Sequence, residues 1–198
     1  MVMMMMVAIL LAAAYIAGSV NFSILLFRML GREDPRDHFS RNAGVTNVYR
    51  QAGYFLAAVV LILDVAKALL IGTAALYLLD QPLVPWVGLG LVIGNRFSCF
   101  HGFHGGKGVS NYLGFTASLS PLTSILSCVI WVLAYSVFRI PFVASFFMIL
   151  TLAAGTIITY SHTPVAISSV LMTALLIFYL HKRNIMLLIE KRKGKNEN

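Results

Sequence analysis

The sequence predicts an all-α integral membrane protein of about seven transmembrane helices, with its N-terminus outside and its C-terminus cytoplasmic. Three observations predict it. Of 198 residues, 59% are hydrophobic and only 11% are charged, a balance far from that of a water-soluble domain. Apolar runs of membrane length recur along the chain, divided by short polar stretches. The basic residues flank those runs and are not interleaved with exposed aromatics, so the formal charge of +8 reads as membrane topology, not as a nucleic-acid surface.

The first run, residues 2–27, carries no charge. It is too long, and lacks the basic n-region, for a cleaved signal peptide, so it reads as a retained helix. Residues 28–50 hold five arginines, which places them in the cytoplasm and the N-terminus outside. A second span, 52–79, leads out to the turn Asp80-Gln-Pro-Leu-Val-Pro85, where two prolines stand without any Lys or Arg. The third span, 83–99, returns the chain to the cytoplasmic side. Runs at 121–138, 141–158 and 164–180 follow, and the tail 181–198 carries six Lys and Arg residues that belong inside.

Parity then requires the weakly apolar stretch 109–120 to cross as a short span, with Arg139 inside. About twelve residues make only about 18 Å of helix against a bilayer core of about 30 Å, so burial inside the bundle is the expected compensation. The chain reads as one polytopic domain, 1–198. His162 reads as a polar residue at an outer helix end, and Lys191 to Lys195 as a topology anchor touching anionic lipid. Cys99 and Cys128 stand alone, without a CxxC or a metal-like cluster, so no disulfide, metal or cofactor is expected.

The polar interruption His101-Gly-Phe-His-Gly-Gly-Lys-Gly-Val-Ser110 is the chemical centre of this organisation. Gly105, Gly106 and Gly108 permit the positive φ angles that turn N–H groups toward an anion, and Lys107 adds a compact positive charge. It is not a nucleotide P-loop. That motif needs a glycine where His101 stands and a Ser or Thr where Gly108 stands. The first loop brings short hydrogen-bonding groups at Ser40, Asn42, Thr46 and Asn47, with guanidinium forks at Arg36, Arg41 and Arg50. Such residues also cap helices, and taken alone the glycine segment reads more simply as a plain inter-helix turn. Asp64 and Lys67, three apart, share a helical face, where an ion pair bracing the bundle is the simplest role.

Ser40-Arg-Asn-Ala-Gly-Val-Thr-Asn47 with Arg50 resembles the Gly-Ser-Gly-Asn-x-Gly-Ala-Thr-Asn segment of the bacterial acyl-phosphate:glycerol-3-phosphate acyltransferases, the PlsY family. The other pieces follow in the family's order: Gly18-Ser19, Asp34-Pro-Arg36, Asp64-x-x-Lys67, Gly105-Gly-Lys-Gly-Val109 and His181-x-x-Asn-Ile185. The resemblance implies a seven-helix bacterial inner-membrane enzyme of phospholipid biosynthesis. Such an enzyme moves a fatty acyl group from acyl phosphate to the first hydroxyl of glycerol 3-phosphate, giving lysophosphatidic acid and phosphate. It further implies catalytic roles for Ser40, Arg50, Lys107, His181 and Asn184, and substrate binding by Asn42, Thr46, Asn47, Lys67, Gly105, Gly106 and Gly108. Its partners are those two small substrates and the membrane lipids.

The chemistry agrees with the residues. Acyl phosphate is already activated, so positioning and charge neutralisation suffice and no acyl-enzyme nucleophile is needed. The chain lacks a G-x-S-x-G elbow, and no histidine is followed five residues later by aspartate. His181 is the base that the matching motif offers, and a substrate phosphate oxygen is the other. Several positions depart from the family pattern. Phe39 and Arg41 stand where it has glycines around Ser40, so bulk and charge are expected to replace a tight turn. Asn95 and Ser98 replace a histidine and a proline, Ser110-Asn111 an Ala-Thr, and Leu187 an arginine. Two other functions fit these residues: a catalytically silent paralogue that binds phosphorylated lipid precursors, and an anion transporter motivated by Asp64 and Lys67.

Overall fold

The computed structural model describes residues 1–196, with side chains described through Glu190. The anchor expected at Lys191 to Lys195 lies beyond the described side chains. In chain order the helices are α1 (Val2–Ser19), α2 (Phe22–Met29), α3 (Val45–Leu78), α4 (Val84–Arg96), α5 (Val109–Leu119), α6 (Pro121–Phe138), α7 (Pro141–Thr159), α8 (Pro164–Leu180) and α9 (Lys182–Asn196). A short 3₁₀ turn, Gln81–Leu83, precedes α4. Five helical stretches are long and apolar enough to cross a membrane: 2–19, 45–78, 121–138, 141–159 and 164–190.

One expected run is divided, and one helix is kinked where an expected span begins. The first breaks at Val20, whose extended backbone (φ −68°, ψ 102°) ends α1, and Asn21 caps α2 by accepting from the Ile24 N–H at 3.3 Å. The break is held from a distance, because Lys67 on α3 donates to the Val20 carbonyl at 2.5 Å while pairing with Asp64 at 2.7 Å. A carbonyl released by a helix break needs a donor inside an apolar bundle, and Lys67 is that donor. The helix α3 likewise breaks at Gly53 (φ 80°, ψ −178°). Its first part, from Val45, belongs with the polar loop, and its second part is the predicted second span.

Close backbone contacts at glycines set the packing direction. Along α1 and α4, Gly90 lies against Leu11 and Ala14, Gly94 against the Tyr15 backbone, and Gly18 against Leu91 and Asn95, so the two helices are parallel. Along α3 and α5, Gly114 meets the Val65 backbone and Gly72 meets Phe115 and Ser118, so these also run parallel. Thr123 faces Gly155, and the Trp131 indole N–H donates to Ser145 at 3.3 Å, which makes α6 and α7 antiparallel. The Trp86 indole joins the start of α4 to the start of α8, donating to the Val165 carbonyl at 3.1 Å. Phe146, early in α7, packs on Phe178 and His181 at the end of α8.

The seven segments α1, α3, α4, α5, α6, α7 and α8 therefore alternate in direction. The two shortest lie innermost. In α4, Val84, Val87, Leu91 and Val92 are fully buried, and α5 is buried from Asn111 to Thr116. The outer face of α6 exposes Leu122, Ile125, Val129 and Leu133, as a lipid-facing helix does.

Gly114→Ala tests this packing, since a Cβ there overlaps the Val65 backbone and forces α3 and α5 apart. The expected loss is about 1–3 kcal/mol, the usual cost of overpacking, read as a lower unfolding temperature in detergent with helix content retained.

Candidate functional site

Three chain segments meet at one end of the bundle: the loop of residues 30–44, the glycine loop 97–108, and the junction of α8 with α9. The Ala43 carbonyl is the first meeting point. It accepts from Asn21 Nδ2 at 3.3 Å and from Ser23 Oγ at 3.4 Å. It also lies 3.0 Å from where a Cβ on Gly106 would sit. Arg36 is the second. Its guanidinium grips Asp34 through Nε at 2.8 Å and Nη2 at 2.6 Å, and its Nη1 donates to the carbonyls of His101 at 2.9 Å and His104 at 2.6 Å. This pairing holds the Asp34 carboxyl below the usual carboxylate range. The first loop is thereby stapled to the glycine loop.

The glycine loop works differently from expectation. Gly105 donates its N–H to the Arg96 carbonyl at 2.9 Å and Gly106 to the Asn95 carbonyl at 3.0 Å. These bonds satisfy carbonyls at the end of α4, so neither N–H is left for a ligand. Neither residue has a positive φ. They are glycines for lack of space: a Cβ on Gly105 would collide with the Asn95 carbonyl, and one on Gly106 would stand 2.6 Å from Asn95 Oδ1. Gly108 alone among the three is left-handed, with φ 81°, and it begins α5 without a side-chain cap. The N–H groups of Lys107, Gly108, Val109 and Ser110 therefore have no partner among the described residues. An uncapped helix start of this kind attracts anions.

Lys107 sits at that helix start and donates to Asn184 Oδ1 at 2.8 Å. Burial, then the positive charges of Arg96 and Arg183, lower its pKa to about 8. No carboxylate pairs with these three cations among the described residues. One turn before Asn184, His181 is buried between Phe142 and Phe146, and its Nδ1–H donates to the Ile177 carbonyl at 2.8 Å. In the neutral ring this leaves Nε2 as the acceptor.

The remaining predicted residues divide. Asn47 is buried and spends its amide on the first loop, donating to Pro35 at 2.6 Å and His38 at 3.3 Å and accepting from the Ser40 N–H at 3.3 Å. It holds the loop, with both of its amide N–H groups spent there and one acceptor lone pair on Oδ1 remaining. Lys67 is engaged by Asp64 and Val20, as described above, so the geometry gives it a bracing role in place of substrate binding. Ser40 and Thr46 are half-buried, and Asn42 lies against Gly44, the uncapped start of α3. Arg50 is exposed and turns to an open cleft of about 470 Å³ that also includes Phe27, Arg32 and Phe39. The structure thus brings Lys107, His181 and Asn184 together, and sets Arg50 in a cleft of its own.

The turn at Ser40 is tight, although bulk and charge were expected to replace a tight turn there. Phe39 has φ 50° and Arg41 has φ 51°, both in the left-handed region natural to glycine. These side chains occupy that region at a cost of about 1–2 kcal/mol each. Asn21 and Ser23 were not legible as site residues, and Arg36 and Asn95 were legible as polar groups but not as the ties between the loops. Their one sequence signal is polarity at the ends of apolar runs, and their partners lie far along the chain.

A family model described as glycerol-3-phosphate acyltransferase matches residues 8–191. The chain is 33% identical, over 93% of its length and 94% of the relative's, to the glycerol-3-phosphate acyltransferase of Neisseria meningitidis serogroup C. It is 34% identical to that of Thiobacillus denitrificans, over 94% of this chain and 97% of the other. Among solved structures it resembles the glycerol 3-phosphate form of PlsY (YgiH), an integral membrane glycerol 3-phosphate acyltransferase. The TM-score is 0.87 at 28% identity, over 94% of this chain and 93% of that one. The lysophosphatidic acid form of the same protein gives 0.84 at 27% identity.

Arg41→Gly is expected to raise stability by about 0.5–1 kcal/mol, as relief of the left-handed strain exceeds the entropy that glycine adds to the unfolded chain. Thermal unfolding in detergent measures it; a fall in unfolding temperature contradicts the strain assignment.

Proposed function

The chain belongs to the glycerol-3-phosphate acyltransferase family, and from that premise we propose that it takes the acyl group from acyl phosphate. The acyl group passes to the first hydroxyl of glycerol 3-phosphate, yielding lysophosphatidic acid and inorganic phosphate. Acyl transfer to glycerol 3-phosphate is the family's activity, and it places this multi-pass membrane enzyme in phospholipid biosynthesis. The observation that carries the finer reading is the cation cluster at the uncapped start of α5. There Lys107, fixed by Asn184, faces Arg96 and Arg183 with no carboxylate partner among the described residues. A phosphate monoester neutralises such a cluster.

In the reaction the hydroxyl oxygen forms a bond to the acyl carbonyl carbon, and the bond from that carbon to the bridging phosphate oxygen breaks. The proton of the hydroxyl passes to Nε2 of His181 or to an oxygen of the departing phosphate. Lys107 and the N–H groups of Lys107, Gly108 and Val109 neutralise phosphate charge. Gly105 and Gly106 act by holding that loop on α4. Ser40, Asn42, Thr46 and Arg50 present polar groups from the first loop. No covalent enzyme intermediate is required, because phosphate is a good leaving group.

We assign seven crossings of a bacterial inner membrane, with the site toward the cytoplasm. The alternating directions of the seven segments and the arginines of the first loop support this topology. The central burial of α4 and α5 removes the need for either to match the bilayer alone. The alternatives of a silent binder and a transporter lose their motives. Phe39 and Arg41 form a tight left-handed turn in place of the disruption expected of them, and Asp64 and Lys67 are engaged in bracing the bundle.

Lys107→Ala is expected to reduce acyl transfer at least about a hundredfold in a folded, membrane-inserted protein, the scale of removing one transition-state donor. Phosphate release from palmitoyl phosphate, with and without glycerol 3-phosphate, reads it; an unchanged rate refutes the assignment. Lys107 is charged below its pKa of about 8. The KM for glycerol 3-phosphate should therefore rise as pH increases from 7 to 9. Lys107→Arg should flatten that rise, because arginine does not titrate there.

A further inference from the structure

The open cleft into which Arg50 turns is otherwise built from parts that the reaction has not used. The helix α2 ends in a Schellman motif: Gly31, with φ 63°, donates to the Arg28 carbonyl at 3.2 Å, and Arg32 donates to Phe27 at 2.9 Å. That turn folds Arg32 back so that its guanidinium lies over the Phe27 ring, 6.0 Å from the centroid. Arg50 enters the same cleft from α3. The carboxylate there, Glu33, lies 2.6 Å from His38 Nε2. Neither Arg32 nor Arg50 has a carboxylate partner among the described residues.

Phe39 closes the other side of the cleft. It is held at φ 50° yet is 64% exposed, so it accepts backbone strain without gaining burial. An exposed ring on a strained backbone is the kind of outlier that clusters at ligand-binding places. Two guanidinium groups beside an exposed aromatic ring match a molecule with one phosphate and one hydrocarbon chain.

We infer that the cleft formed by Phe27, Arg32, Phe39 and Arg50 receives a single-chain lipid phosphate, namely the acyl donor, before transfer. The identity of the ligand as the donor rests on the acyl-phosphate reading above. Arg32 and Phe39 extend the donor's site outward from Arg50. Arg32 takes phosphate charge, and Phe39 covers the first part of the chain.

The test uses the full-length protein in an uncharged detergent with dodecyl phosphate, which has no activated carbonyl and cannot be transferred. Arg32→Gln is expected to weaken dodecyl phosphate binding about tenfold, for loss of one charge-assisted contact, measured by isothermal titration calorimetry. The KM for palmitoyl phosphate should rise by a similar factor, while kcat and the KM for glycerol 3-phosphate stay unchanged. Phe39→Gly relieves the left-handed strain and so keeps the fold. It should reduce the gain in affinity from octyl to dodecyl phosphate.

An Arg32→Gln protein with unaltered donor KM and unaltered dodecyl phosphate affinity overturns the proposal. So does an acceptor KM that rises in step with the donor KM, or equal displacement of dodecyl phosphate by phosphatidylglycerol, which marks a site for bilayer lipid. If the wild-type protein binds dodecyl phosphate through Arg32 but does not use palmitoyl phosphate, the acyl-phosphate reading fails and the lipid-phosphate cleft stands.

Discussion

The carbonyl of Ala43 is the point on which the site depends. Asn21 and Ser23, at the start of α2, both donate to it, and its other side lies against Gly106. Those two donors reach it only because the first apolar run is broken at Val20, and the break is stable only because Lys67 supplies a donor to the freed carbonyl. An ion pair in the bundle interior is costly in an apolar medium. Here it is linked through one helix break to the position of the loop that carries Lys107. Asp64 and Lys67 therefore shape the site without touching it.

The same dependence explains the glycines. Backbone approaches backbone at Gly18, Gly94 and Gly114, so α1 packs close to α4 and α3 packs close to α5. Small residues at such contacts let dispersion and packing hold helices together where the hydrophobic effect is absent. The tight core then shelters α4 and α5, whose ends frame the glycine loop. A short helix inside six longer neighbours leaves its polar ends buried in protein and not in lipid, which permits irregular backbone and buried cations at that depth. Cations that have no carboxylate partner among the described residues, at an uncapped helix start in a partly desolvated setting, make a place that attracts anions.

The turn at Ser40 shows how local bonds can hold a backbone that its side chains do not favour. Asn47 ties Pro35, His38 and Ser40 together, and Gln51 adds a bond to Pro35 at 2.9 Å. These bonds over-determine the turn, so Phe39 and Arg41 are held in the left-handed region despite their side chains. The surface beside Ser40 thereby presents a ring and a guanidinium on a tight turn.

By itself the sequence determined an all-helical membrane fold class, where the apolar runs lie and which residues bear charge. Each rests on a local rule: membrane-length apolar runs and the residue types that divide them. A helix at α5 stands where the parity of the runs asked for one. Tertiary structure alone decided which of those residues meet. The break at Val20 depends on a donor 47 residues away, and Arg36 acts on carbonyls 65 and 68 residues away. Gly105 and Gly106 had the composition of an anion loop, but their N–H groups were claimed by the end of α4. Arg50 had the right charge, but its helix turned it to a separate cleft. Hydrogen-bond partners and facing surfaces are properties of non-local packing, which no local pattern of residues encodes.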